Sequence, residues 1–229
     1  METCSRREII TIGAGAFALL TNALPILAAA SRTGTFGWKT FLEAVAHFNA
    51  LASDPLKQEQ YVDRVEHLMQ QLDYGDRLLR RHSPPPHKRH GFPAFSPVED
   101  SLTIEVKLLS FDPGDSIEAH NPPEMTGVMA CIAGKVAVET YDSIYVDSAL
   151  RTATLRKRGT ATLRERDTST LTIGRGNIHQ LVSKEGCEII DIFTPPYSSN
   201  RVHATNWYDI SNVPIANTPN LYEAHISHV

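Results

Sequence analysis

Leu102-Thr103-Ile104-Glu105-Val106-Lys107-Leu108 alternates apolar and polar residues without a break. Side chains along a strand point to opposite faces in turn, so this is the pattern of a half-buried strand. The alternation predicts Val106 inward and Lys107 toward solvent; the alternative is an inward Lys107, placed to meet the carboxylate of a bound molecule. Downstream, Asp112-Pro113-Gly114-Asp115 reads as a turn, and residues 128–138 form an apolar run around Gly134. Residues 152–155 and 160–163 read as two short strands joined near Arg158-Gly159. Leu171 and Ile173 precede a Gly174-Arg175-Gly176 turn, and an isoleucine-rich run over 187–193 ends at Pro195-Pro196. Short strands separated by Gly/Pro turns predict a mainly β domain over 93–229, a double-sheet jelly roll or small barrel.

Upstream the period changes. Trp38, Phe41, Leu42, Val45, Phe48 and Leu51 recur at three- and four-residue spacing, one face of a helix. Ser53-Asp54-Pro55 is a helix-start signal, and Val62, Val65, Leu68, Met69 and Leu72 carry a second apolar stripe that Tyr74-Gly75 ends. Two helices are therefore expected before the barrel, within a region spanning 31–92. Its last part, 77–89, is basic and rich in proline, and reads as a solvated connector. His82, His87 and His90 cluster there at spacings that fix no coordination geometry.

The chain of 229 residues, 41% hydrophobic and 21% charged, is long enough for one domain with a large core. A net charge of −4 argues against a nucleic-acid binder, which would need a broad basic face. At the N-terminus, Ser5-Arg6-Arg7-Glu8-Ile9-Ile10 resembles the twin-arginine export signal. An apolar stretch follows over 9–29, and Ala28-Ala29-Ala30 supplies small residues for cleavage. Residues 1–30 are thus expected to be a removable signal read by the twin-arginine machinery, delivering a periplasmic or secreted protein. A retained membrane anchor is the rival, but Asn22, Pro25 and the alanine cluster favour cleavage, after which no stable membrane association is expected. This route moves folded proteins, so an iron protein would load its metal before meeting copper or zinc. Cys4 leaves with the signal. Cys131 and Cys187 remain, readable as one disulfide or as two buried thiols.

The residues that carry chemistry lie in the barrel segment. A His-x-His pair on a strand would aim two imidazoles at one ion, because residues i and i+2 share a face. Here the slot reads His120-Asn121-Pro122, and proline has no donor. Phe111-Asp112-Pro113-Gly114, then His120-Asn121-Pro122-Pro123-Glu124-Met125-Thr126, Gly134 and Tyr141-Asp142 resemble the first half of the thiol dioxygenase cupins. The branch of plant cysteine oxidases and cysteamine dioxygenases, which shows His-Asp-His-Pro-Gly-Met-Thr at this point, is the most similar. Gly176-Asn177-Ile178-His179 resembles that branch's third-ligand segment. Ile189-Ile190-Asp191-Ile192-Phe193 with Pro195-Pro196-Tyr197-Ser198 resembles its later strand and turn. Arg201 and Trp207-Tyr208 fit its closing segment more loosely.

The resemblance implies a cupin barrel (a double-stranded β-helix) preceded by helices. It also implies an oxygenase using Fe(II) and dioxygen to turn a small thiol, or an N-terminal cysteine, into a sulfinic acid. Carried over, His120 and His179 are iron ligands, Asp191 is an acid near the metal, and Tyr197 lines the pocket. The second ligand falls on Pro122. The cysteine that crosslinks to tyrosine in animal cysteine dioxygenases would fall near Gly127, so that device is missing too.

Glu124 is the nearest residue able to replace the lost donor, giving two histidines and a carboxylate. If Asn121-Pro122-Pro123 is extended, four residues at ~3.1 Å each hold the two backbones about 12 Å apart. A tight turn brings them within roughly 7 Å. A surface glutamate beside a two-histidine slot is the other reading. His203 is the alternative ligand among the C-terminal histidines, with His225 and His228 read as surface residues. Asp191, an acid amid isoleucines, must be paired or neutral if buried, and a purely structural hydrogen bond is the rival to a role at the site. The competing function is a non-catalytic cupin that binds a small ligand or metal in the periplasm, motivated by Pro122.

Overall fold

The computed structural model describes residues 35–76, 91–100, 103–197 and 204–228. The expected signal, most of the basic connector with its three histidines, Leu102, Ser198, Arg201 and His203 lie outside the described residues, as does the side chain of His228.

Among the described residues three helices come first: α1 (Trp38–Ala46), α2 (Asn49–Ala52) and α3 (Gln58–Gln70). The first apolar stripe is continuous in sequence, yet the helix breaks at His47-Phe48. There the amides of His47, Phe48 and Leu51 bond three residues back, to Ala44, Val45 and Phe48. A tightened turn keeps the three-residue spacing, so the stripe passes through the break unmarked. The second helix begins later than Ser53-Asp54-Pro55 suggests. Asp54 accepts the Leu56 amide on its side chain at 3.0 Å and the Lys57 amide on its carbonyl at 2.8 Å, making a turn.

Ten strands follow among the described residues: β1 (Ala94–Asp100), β2 (Glu105–Phe111), β3 (Ser116–Asn121), β4 (Thr126–Asp147), β5 (Thr152–Arg164), β6 (Thr168–Leu171), β7 (Ile178–Val182), β8 (Cys187–Thr194), β9 (Asn206–Ile210) and β10 (Leu221–His228). All pairings are antiparallel. The first half of β4 lies between β6 and β8, and the sheet continues through β2 to β1. The second half pairs β5 on one side and β7 on the other, and the ladder closes through β3, β9 and β10. The result is a closed β-barrel with helices before it. β5 is one strand, because it stays paired to β4 through Gly159; the two short strands read from the sequence are a single one. Among the described residues no helix is long and apolar enough to cross a membrane.

Two apolar cores share the β1-β2-β8-β4 sheet. On its outer face Val106, Leu108, Val128, Ala130, Ile132, Ile190 and Ile192 pack against Trp38, Phe41, Val45, Tyr61, Val65, Leu68 and Met69 of the helices. On its inner face Leu109, Phe111, Met129, Cys131, Cys187 and Ile189 meet Ile117, Val136, Val138 and Leu181 inside the barrel. Arg175 ties the helical layer down through a bidentate pair with Glu59, at 2.7 to 3.0 Å. Cys131 and Cys187 are both free and buried.

The helical layer corrects one expectation. Val106 does face a core, but that core is the helix layer. Lys107 therefore points into the barrel, on the same face as Leu109. Both faces of this sheet are buried, so alternation separates two interiors here, not core from solvent.

Candidate active site

The barrel encloses a cavity of 290 Å³ whose lining includes His120, His179, Asp191, Tyr197, Lys107 and Trp207, with Phe92, Phe95, Ile117 and Phe193 among its apolar walls. Four of the five residues singled out from the sequence thus meet in one place. Glu124 does not. It is exposed on the turn between β3 and β4, with φ at 52°, and it does not line the cavity. The tight turn exists, but this left-handed residue completes it and its side chain leaves on the solvent side. His225 is exposed on β10, away from the cavity.

Local backbone features aim the histidines. The β3–β7 ladder pairs Ile117 with Leu181 and His120 with His179, so β3 carries one extra residue between the two pairs. That irregularity lets Ile117 and His120, three apart in sequence, both line the cavity. On β7, His179 and Leu181 share the inner face by simple alternation. Asp142 sets the entry to β7: its carboxylate accepts the Gly176 amide at 2.8 Å and the Arg158 guanidinium at 2.8 Å. Asn121 accepts the Asn206 amide at 2.9 Å, pinning β9 to the end of β3.

His120 and His179 lie side by side with ring centroids 4.5 Å apart. On its other side His120 stacks on Trp207 at 4.9 Å, and the two are ladder partners. The His120 Nδ1–H donates to the Glu118 carbonyl at 2.9 Å, which leaves Nε2 with its lone pair. Burial holds the His120 pKa down. Burial, with His120 beside it, holds His179 well below the usual histidine range, while the Asn177 backbone pulls weakly the other way. Both rings are neutral near pH 7, the form that binds a metal. His179 Nδ1 is buried with no well-formed hydrogen bond. Two neutral imidazoles so placed fit a metal ion at two positions. Among the described residues no third His, Cys, Asp or Glu gathers with them.

The facing wall is polar. Asp191 on β8 is 6% exposed, and its Oδ1 has no partner. Burial pushes its carboxyl up to about 7, against the pull of Lys107 and with a push from Glu105. Lys107 Nζ lies 2.9 Å from Glu105 Oε1 and 4.6 Å above the Tyr197 ring. Glu105 Oε2 accepts the Tyr197 amide at 2.8 Å, and Tyr197 meets Phe193 edge-on at 5.0 Å. Burial, then the nearby Asp191 and Glu105 carboxylates, raises the Tyr197 phenol, which stays protonated. A second cavity, of 490 Å³, lies beyond Trp207. Of its lining carboxylates, Glu139 is already engaged by Lys157 at 2.8 Å and Tyr141 at 2.7 Å, and neither His120 nor His179 lines this cavity.

Several of these residues carry no local sequence signal. Trp207 touches the site only because β9 pairs with β3 across a long separation. Phe92 and Phe95 precede the alternating stretch, and Glu105 gains its role from a turn ninety-two positions away.

The family model PCO_ADO matches residues 97–227. A probable 2-aminoethanethiol dioxygenase of Dictyostelium discoideum is 25% identical over 128 residues, covering 52% of this chain and 56% of that protein. Plant cysteine oxidase 2 of Arabidopsis thaliana is 32% identical over 111 residues, covering 46% of this chain and 40% of that protein. The chain therefore matches about half the length of these curated relatives. Among solved structures, a Klebsiella pneumoniae protein with a double-stranded β-helix domain aligns at TM-score 0.36 and 16% identity, over 48% of this chain and 82% of that one. KdgF from Halomonas sp. aligns at 0.39 and 16%, over 52% and 92%.

Proposed function

The chain belongs to the PCO_ADO family of cupin thiol dioxygenases, and from that premise we propose that its cavity oxidises a small thiol, or an N-terminal cysteine, with dioxygen. One thiol and one O2 give one sulfinic acid, both oxygen atoms ending on sulfur. The observation that carries the reading is the placement of two neutral, buried histidines opposite Asp191 and Tyr197 in a single small cavity. His120 and His179 would hold Fe(II). When bound, ferrous iron supplies the activation of dioxygen beside a thiolate sulfur.

The chain's own groups do the rest. The Glu118 carbonyl fixes the His120 tautomer, and Trp207 holds its plane. The walls around the two histidines are largely apolar. Asp191, with a carboxyl near 7 and one oxygen unpartnered, is equipped to take the thiol proton and return it. Tyr197 remains a donor throughout. Residues 1–30 are proposed as the twin-arginine signal of an exported precursor, on the strength of Arg6-Arg7 and the apolar stretch after them.

A second reading, a cupin that binds a small ligand or metal without turnover, is favoured by one observation. Pro122 stands in the slot, and among the described residues no third ligand is gathered. Protein made in the cytoplasm and supplied with iron separates the two. Stoichiometric iron, with dioxygen uptake and a product heavier by two oxygen atoms from cysteine, cysteamine or an N-terminal-cysteine peptide, supports the enzyme. An empty or zinc-only site, or iron without turnover of any of these thiols, supports the binding protein.

A further inference from the structure

We infer that Lys107 selects thiols that carry a carboxylate beside the amine, so that the cavity takes a free α-amino-acid thiol in preference to an amine-only thiol. This builds on the thiol-oxidation reading and names its substrate class.

The placement is set by the backbone. Lys107 and Asp191 are direct partners in the β2–β8 ladder, and both side chains line the cavity. Their Cα atoms are therefore about 5 Å apart, and their head groups stand on neighbouring parts of one wall. Lys107 is the one lysine or arginine among the described residues that line the cavity. Its neighbours on the inner face of β2 are Glu105, with which it forms an ion pair, and Leu109.

An ammonium has three donors. Glu105 Oε1 takes one at 2.9 Å, and the Tyr197 ring faces the head group at 4.6 Å, which leaves donor capacity toward the cavity. Asp191 Oδ1 is buried and unpartnered on the same wall. The strip thus presents a fixed cation and an acid side by side. A zwitterionic amino acid with its sulfur toward the histidines offers an ammonium to Asp191 and a carboxylate to Lys107. Cysteamine offers only the ammonium and leaves the remaining donors of Lys107 unused, beyond its pair with Glu105. A charge-assisted pair away from bulk water is lost with the missing carboxylate, a difference of about tenfold or more in affinity.

The rival role for Lys107 is structural, clamping Tyr197 together with Glu105. Anaerobic calorimetry on the full chain, with and without iron, distinguishes them using cysteine and cysteamine as probes. Cysteine should bind about tenfold or more tightly than cysteamine. Lys107→Met should erase that preference by weakening cysteine alone, and Lys107→Arg should retain it. Equal binding of the two thiols by the parent protein overturns the inference. So does a Lys107→Met or Lys107→Gln variant that weakens both thiols equally, since a lost Tyr197 clamp does not distinguish them. Dioxygen uptake with both thiols at equal affinity overturns this selectivity and leaves thiol oxidation standing. Selective cysteine binding without uptake overturns thiol oxidation and leaves the selectivity standing.

Discussion

His120 and His179 are opposite partners in the β3–β7 ladder, with rings 4.5 Å apart, and its own burial holds each ring below the usual histidine range, with His120 adding to the effect on His179. A pair of this kind has an unmet need that a cation fills. His120→Ala and His179→Ala should each lose most of the bound iron, measured by elemental analysis of protein made in the cytoplasm. Glu124→Ala should keep it, because that side chain is exposed and outside the cavity. Circular dichroism should be unchanged for the Glu124 variant, which removes no core packing. Iron loss on Glu124→Ala would mean that the 122–125 turn swings inward around the metal. Full iron in both histidine variants would remove the metal site from this cavity.

Asp191 makes stability depend on pH with a definite sign. Burial raises its carboxyl from 3.8 to about 7. The folded protein therefore keeps a proton that the unfolded chain releases above its own lower pKa. Stability falls as pH rises between those two values, by about 4 kcal/mol at the upper end. Asp191→Asn removes the titrating group. Its melting temperature should exceed that of the parent near pH 8 and converge with it near pH 4, where both side chains are neutral. Parallel melting curves across that range would show that Asp191 is ionised in the fold.

How much of this was readable beforehand differs from strand to strand. The turns at Asp112-Pro113-Gly114-Asp115 and Gly174-Arg175-Gly176 and the run over 187–193 are local signals, and each lies where it was read. Lys107 turns inward against its alternation pattern because alternation reports two faces without saying what covers them, and α1 and α3 cover the outer one. His120 reaches the inner face through an extra residue in β3, which no period-2 pattern encodes. Gly159 looked like a break but is paired within β5, since the partner strand β4 is long enough to carry it. The stacking of Trp207 on His120 joins segments far apart in the chain, and only the ladder between β3 and β9 reveals it.

Gly134 tests how the long strand β4 passes from one sheet to the other. Its φ is 74°, and a Cβ there would lie 2.2 Å from the Gly186 carbonyl oxygen and 2.9 Å from the Cys187 Cα. Those contacts are backbone, so no rotamer change relieves them. Gly134→Ala should destabilise the fold on the order of 3 kcal/mol, by strain at positive φ plus displacement of β8. Gly159→Ala is the control, because nothing lies within 4 Å of its added Cβ. Urea unfolding of the two variants should differ clearly in midpoint. Equal midpoints would show that the β4–β8 crossing yields without cost.

Export is tested on residues far in sequence from the site. Ser5-Arg6-Arg7-Glu8-Ile9-Ile10 places two guanidinium groups before an apolar stretch of mostly small and aliphatic residues. Arginine and lysine carry the same charge but differ in geometry. Guanidinium is a planar fork with five donors, and ammonium is a compact point charge. A receptor that reads the pair by shape should therefore reject lysine, whereas a route that needs only a positive N-terminus should accept it. Arg6→Lys with Arg7→Lys should leave the precursor in the cytoplasm at full length, seen by fractionation and immunoblot against the parent. Iron content should then be compared between the retained precursor and the exported parent. Equal iron in both would fit loading before translocation. Unchanged periplasmic accumulation of the double variant would rule out the twin-arginine route for this chain.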